Sequence, residues 1–251
     1  MLVSVITALS AGALLASATP AINVVTGTTY RATFEESDAA ALDPSPGVQN
    51  VNIAYQGLDW SNTNLQIQKP AGTATTYYLI PASPEQYGQM PPVYEQKDET
   101  LARKYFPPNG TITPAEQNQK VQLEGFYFGC SKPGRAPGYA NAPVNCTIEV
   151  TGTGGVGGEG YFAYADYTPI IGKLGYEGPK LGDCEQLGSQ MLNGGGCAGL
   201  AYVGPEDLVG LTNYGPFDSI TFTLPDFLTD EANRTSIFVD DVSYSVDIVG
   251  V

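Results

Sequence analysis

The segment Phe238-Val-Asp240-Asp241-Val242-Ser-Tyr244-Ser-Val246-Asp-Ile248 places apolar residues at every second position from Val242 onward. A period of two is the signature of a strand with one buried face. The same pattern recurs upstream. Val121-Gln-Leu123-Glu-Gly-Phe126-Tyr-Phe128 is dense in strand formers, and Cys146-Thr-Ile148-Glu-Val150 and Ile220-Thr-Phe222-Thr-Leu224 alternate cleanly. Further strands are expected at 26–34, 50–55, 64–68, 75–80, 160–165, 200–203 and 236–240. Thirty glycines and nineteen prolines punctuate these runs. Many short strands with frequent turn residues predict an all-β chain, an antiparallel β-sandwich.

The alternation also places two carboxylates oddly. By parity Asp240 shares the face of Val242 and Tyr244 and should point into the core, while Asp241 points away. In the first strand Tyr30, Ala32 and Phe34 share a face, and Glu36 is next on it. A buried carboxylate is costly unless it is paired, hydrogen-bonded or metal-bound. Arg31 and Arg234 are the nearby cations. A hard cation held by carboxylate oxygens, calcium above all, would also resolve the problem. Glu35, Glu36, Asp240 and Asp241 are the candidate ligands.

The composition of the 251 residues narrows the chemistry further. The chain has 11 Lys+Arg, 26 Asp+Glu and a net charge of −15, with no histidine. The missing histidine removes Ser-His-Asp and Cys-His catalysis and every His-ligated metal site. The acidic balance argues against nucleic acid and anionic membrane surfaces as partners. Residues 2–15 are apolar or small and uncharged, and Ala16-Ser17-Ala18 follows. This predicts a signal peptide over 1–18 and a secreted product, extracellular or in a cell wall. Four cysteines fall in two local clusters, Cys130 with Cys146 and Cys184 with Cys197, and three connectivities are open. Asn109, Asn145 and Asn233 each begin an N-glycosylation sequon.

Residues 81–120 carry seven prolines and few β-branched residues. They are expected to form a long loop inside a single domain spanning 19–251. One or two short helices are expected, around Asp183–Leu192 and Lys97–Lys104. The glycine run Gly152–Gly160 has spacing reminiscent of a dinucleotide loop, but Tyr161-Phe-Ala-Tyr164 follows it as a strand, so it reads as a hairpin loop. Sixteen tyrosines offer rings for stacking on sugars. Tyr77, Tyr78, Tyr87, Tyr94 and Tyr105, in or near the long loop, are the leading ligand-binding candidates. Tyr139, Tyr164 and Tyr167 come next, and Trp60 reads as core.

Phe34-Glu35-Glu36 near the start and Asp240-Asp241-Val242 near the end resemble jelly-roll carbohydrate-binding modules. In those modules such motifs bracket a structural calcium where the terminal strands meet. Gly57-Leu-Asp-Trp60-Ser-Asn62, Phe126-Tyr-Phe128-Gly-Cys130 and Cys146-Thr-Ile148-Glu-Val150-Thr-Gly152 are similar to motifs of a group of fungal secreted proteins of unknown function. This resemblance implies a jelly-roll fold and carries no activity with it. The functional expectation is a secreted protein that binds a glycan or cell-wall polysaccharide, with structural calcium. The alternatives are a cell-wall surface protein without a sugar site, or a carboxylate-based glycoside hydrolase or lyase, which needs two acids about 5–9 Å apart.

Overall fold

A computed structural model describes residues 24–34, 54–62, 66–68, 78–80, 82, 87–90, 93–95, 104–106, 108–132, 142–158, 160–169, 197–225 and 235–249. In chain order the strands begin with β1 (Val24–Ala32), β2 (Ala54–Tyr55), β3 (Leu58–Asn62), β4 (Gln66–Gln68), β5 (Tyr78–Ile80) and β6 (Tyr87–Met90). They continue with β7 (Val93–Glu95), β8 (Lys104–Phe106), β9 (Asn109–Pro114), β10 (Gln119–Lys132), β11 (Ala142–Pro143) and β12 (Cys146–Thr153). Then come β13 (Tyr161–Tyr167), β14 (Cys197–Gly199), β15 (Ala201–Val203), a short helix α1 (Val209–Thr212), β16 (Ser219–Thr223) and β17 (Ser236–Val249).

These strands form two main antiparallel sheets. The larger has seven strands in the order β11-β10-β17-β6-β4, with β1 on β17 and β15 on β10. The second has six, in the order β13-β12-β16-β9-β3-β2. The inner faces meet through aromatic rings. Phe126 of β10 lies edge-on to Phe222 of β16 with centroids 5.3 Å apart, and Phe128 packs against Tyr167 of β13 at 5.8 Å. A disulfide between Cys130 on β10 and Cys146 on β12 ties one sheet to the other across a Cα separation of 6.1 Å. This fixes the partners of Cys130 and Cys146; Cys184 lies outside the described residues.

The long strands β10 and β17 carry the interior. On β10 the core positions are Val121 and Leu123, then Phe126, Phe128 and Cys130, all fully buried. The parity changes at Gly125, where the register with β17 slips. An extra residue in one strand flips the side chains beyond it to the other face. Glycine is required there because a Cβ would stand 2.9 Å from the Val203 carbonyl and 2.8 Å from the Tyr202 hydroxyl. β17 has its own irregularity at Asp241, whose φ is +49°.

That irregularity overturns the simple parity of Asp240. Tyr244 stands opposite Leu123, but Val239 stands opposite Phe128 and Ile237 opposite Cys130. The inward positions therefore switch from even to odd across Asp241. Asp240 stands opposite Tyr127, whose ring packs against the half-exposed Tyr202 on the outer side of the larger sheet. Asp240 thus belongs to the outer side, yet it is fully buried, and Asp241 is buried as well.

Two other expectations change. The stretch 81–120, read as a loop, contains β6, β7, β8 and β9. β6 pairs with β17, and β9 lies inside the second sheet between β16 and β3. Its prolines mark strand ends: Pro91 and Pro92 separate β6 from β7, Pro107 and Pro108 separate β8 from β9, and Pro114 closes β9. The helix found, α1, was not foreseen; of the two expected, Asp183–Leu192 lies outside the described residues, and Lys104 opens β8. The glycine run after β12 is the expected hairpin loop, with Gly154, Gly157 and Gly158 at positive φ.

The Gly57-Leu-Asp-Trp60 motif has a packing role. Gln56 and Gly57, both at positive φ, make the two-residue turn between β2 and β3. The Tyr244 hydroxyl donates to the Gln56 carbonyl at 2.7 Å, and Tyr244 stacks on Tyr30 of β1. Trp60 is fully buried, donates its ring N–H to the Tyr55 carbonyl and meets Phe34 edge-on.

Phe126→Ala should cost about 3–5 kcal/mol, because the cavity opens where both sheets converge. Urea unfolding should show a lower midpoint with an unchanged slope.

Candidate functional site

The second sheet has one face in the core and one outward. In β13 the inward positions Ala163 and Ala165 are small, and the outward positions are Phe162, Tyr164 and Asp166. In β12 Ile148 and Val150 are buried while Thr147, Glu149 and Thr151 face out. β16 contributes Ser219, Thr221 and Thr223 outward, and β9 contributes Asn109, Thr111 and Thr113. β-branched threonine suits a strand, and its hydroxyl keeps the outer face wet.

The register arranges these side chains in rows. Phe162 stands beside Thr151, which stands beside Thr221 and then Thr111. The neighbouring row is Tyr164, Glu149, Thr223 and Asn109. Hydroxyls pair across strands, with Thr111 to Thr221 at 2.9 Å and Thr153 to Ser219 at 2.6 Å. Thr147 donates to Asp166 at 2.5 Å, and Thr151 donates to Glu149 at 3.0 Å.

Phe162 and Tyr164 stand out on this face, at 57% and 52% exposed. Their rings meet edge to face at 5.5 Å. Two adjacent large rings left in solvent form a small apolar patch, a feature that contact surfaces use. The strand that carries them is braced. Tyr161 stacks on Tyr214 with centroids 4.1 Å apart and planes 3° from parallel, and donates its hydroxyl to the Val156 carbonyl. Gly210 of α1 lets the helix approach the Phe162 carbonyl, to which a Cβ would come within 2.8 Å. The pair therefore sits on a strand held in place by the Tyr161–Tyr214 stack and the close approach of α1.

The electrostatics of the face are one-sided. The six strands contain Asp59, Glu149 and Asp166, all at outward positions, and no lysine or arginine. Glu149 accepts a hydrogen bond from the Tyr164 hydroxyl. That bond, then the loss of solvent, then the charge of Glu149 hold the Tyr164 hydroxyl above the ordinary tyrosine range. Tyr167, at the core side of the same strand, is held well above that range by burial, and it donates to the Gly199 carbonyl at 3.0 Å.

Among the expected ligand tyrosines, Tyr87 is not exposed. It is buried and edge-on to Phe238 at 4.9 Å, because β6 lies inside the larger sheet between β4 and β17. Tyr78 lies in β5, and Tyr94 and Tyr105 are register partners in the β7–β8 pair. Tyr77 and Tyr139 lie outside the described residues. Of the second group, Tyr164 is exposed and Tyr167 is core. Phe162 was not anticipated. The signal was available: Tyr161-Phe-Ala-Tyr164-Ala-Asp166 puts alanines on one parity and large rings on the other.

The expected metal ligands separate. Asp241 receives the guanidinium of Arg31 in a bidentate pair, Nε at 3.0 Å and Nη2 at 2.6 Å. Asp240 accepts the Asp241 backbone N–H at 2.8 Å. The charge on Asp241 is thus met by Arg31, which keeps its own solvation because it is largely exposed. Among the described residues no group of three or more carboxylates, cysteines or histidines is placed to hold a metal ion. Glu35 and Glu36 lie outside them. Asn109 is exposed on the outward face of the second sheet, Asn145 is exposed beside the disulfide, and Asn233 lies outside the described residues.

No protein-family model, curated protein or solved structure matches the chain.

Because the neutral phenol of Tyr164 is favoured in the fold, its ionisation requires a pH above the usual tyrosine value. Ultraviolet titration should show a phenol step above the ordinary tyrosine range that is lost in Tyr164→Phe and moved to lower pH in Glu149→Gln.

Proposed function

We propose that this is a secreted, jelly-roll glycan-binding protein whose binding surface is the outward face of the second sheet, centred on Phe162 and Tyr164. The exposed aromatic pair is the observation that carries this reading. Aromatic rings cover the apolar face of a pyranose, while neighbouring hydroxyl, amide and carboxylate groups take up the sugar hydroxyls. Thr151, Glu149, Thr221 and Thr223 supply those groups beside the rings. This face replaces the loop tyrosines as the leading candidate. Asn109, three strands away at about 14 Å, would place its own glycan beside the aromatic pair, not over it.

Pull-down of the full chain on insoluble polysaccharides, followed by calorimetry with soluble oligosaccharides, tests this reading. Wild type should be retained on at least one glycan. The double variant Phe162→Ala/Tyr164→Ala should lose about tenfold or more in affinity with its melting temperature kept. Retention that is unchanged in the double variant, or no retention on any glycan, would sink the assignment.

Calcium is proposed as a structural ion, with Glu35, Glu36, Asp240 and Asp241 as the candidate ligands. A bound ion stabilises the state that binds it. Chelator should therefore lower the melting temperature and added calcium restore it; an unmoved melt excludes the ion.

A further inference from the structure

We infer that the Phe162–Tyr164 face selects glycans bearing free amino groups, such as de-N-acetylated polyglucosamine, over neutral and uronate-containing chains. This rests on the glycan-binding reading above and adds the ligand class. Three features of the face carry it. The aromatic pair and the hydroxyl rows suit a sugar backbone, not a bare polyamine. Glu149 stands directly opposite Tyr164 in the adjacent strand, and Asp166 lies two residues along the same strand on the same side. Both carboxylates therefore lie within about 7 Å of the Tyr164 backbone position, close enough to meet an ammonium on a sugar seated against the ring.

Among the described residues, the strands that build this face carry charge of one sign. No lysine or arginine occurs in any strand of this sheet, and Asp59 adds a third outward carboxylate. Lys120, at the hairpin end of the fold, is engaged by Asp218 at 2.9 Å and by the Gly154 carbonyl. The net charge of −15 extends the same sign over the whole chain. A polyuronate approaching this face meets like charge at short range, which disfavours it. A polyamine sugar gains attraction at contact and a faster encounter. A neutral chain gains the stacking alone. The carboxylates remain solvated at the rim, so the selectivity is electrostatic and screened by salt.

The test uses the full-length protein and four soluble probes: glucosamine oligomers, their N-acetylated counterparts, a neutral β-glucan oligomer and polygalacturonate. Polylysine serves as the non-sugar control. Binding is measured by calorimetry in a mildly acidic buffer that keeps the sugar amines protonated. The glucosamine oligomer should bind about tenfold more tightly than its N-acetylated form, and polygalacturonate should not bind. The advantage should shrink in high salt. Glu149→Gln and, independently, the exposed-site variant Asp166→Asn should each cut the ratio of amine to N-acetyl affinity. Equal affinity for the amine and N-acetyl forms overturns this inference and leaves the glycan-binding reading standing. Failure of every sugar probe overturns both. Polylysine binding as tight as the glucosamine oligomer, and indifferent to Phe162→Ala/Tyr164→Ala, assigns the face to basic peptides and also overturns the inference.

Discussion

Gln119 to Ser131 lies against Ser236 to Ile248 in one antiparallel pairing, and the rest of the larger sheet hangs from those two strands. β11 and β15 attach to β10, β1 and β6 attach to β17, and β4 attaches to β6. The pairing is long and it is not regular. Slips around Gly125 and the positive φ of Asp241 re-aim the side chains part-way along. Without them, strands this long would keep one parity inward throughout. With them, Val121 and Leu123 face the core at one end, and Phe126, Phe128 and Cys130 face it at the other, where the second sheet and the disulfide meet them. Bulges add twist, which two sheets need to stay in contact along their length.

The Asp240-Asp241 pair sits at the point where β17 changes partner. β1 covers Val242 to Val249, and β6 covers Ile237 to Val239. Between them the backbone lacks a continuous ladder on that edge, and side-chain oxygens take over: Asp240 accepts the Asp241 N–H, and Asp241 holds Arg31 at the end of β1. The two acids are structural connectors at a seam in the sheet. The proposed binding face is elsewhere, on the other sheet, where a braced strand next to α1 holds two rings in water. The separation is physically sensible, since a seam held by buried charge tolerates little movement, while the outward face of a sheet is available to a ligand without any.

Much of the β architecture was legible in the chain. The alternations at 121–128, 146–150 and 242–248 lie within strands, and that at 220–224 runs one residue past the end of β16, because one buried face writes a period of two into the residues. Trp60 was legible as core from Leu58 beside it. The loop assigned to 81–120 was misread because prolines that end strands resemble prolines that fill loops when the partners are unknown. Tyr87, a ligand-binding candidate on the same ground, is buried because its strand lies inside the larger sheet. Asp240 was placed on the wrong side because parity was carried through Asp241, and an extra residue in a strand leaves no mark in a pattern of apolar and polar letters. Phe162 alternates with alanine in the chain, but that pattern alone does not say whether the ring or the alanine parity faces the core; the packing of the second sheet decides it.

The sequence by itself determined the all-β class, the absence of histidine chemistry, the acidic character and the positions of most strands. These are properties of local pattern and composition, and they need no knowledge of who neighbours whom. The tertiary structure decided that Cys130 bonds Cys146, that Arg31 meets Asp241 across 210 residues of chain, and that Phe162, Tyr164, Glu149 and the threonine rows share one surface. Those outcomes depend on register between distant strands. Register is set by the summed packing of two sheets and by bulges whose cost and benefit are only realised in the folded whole.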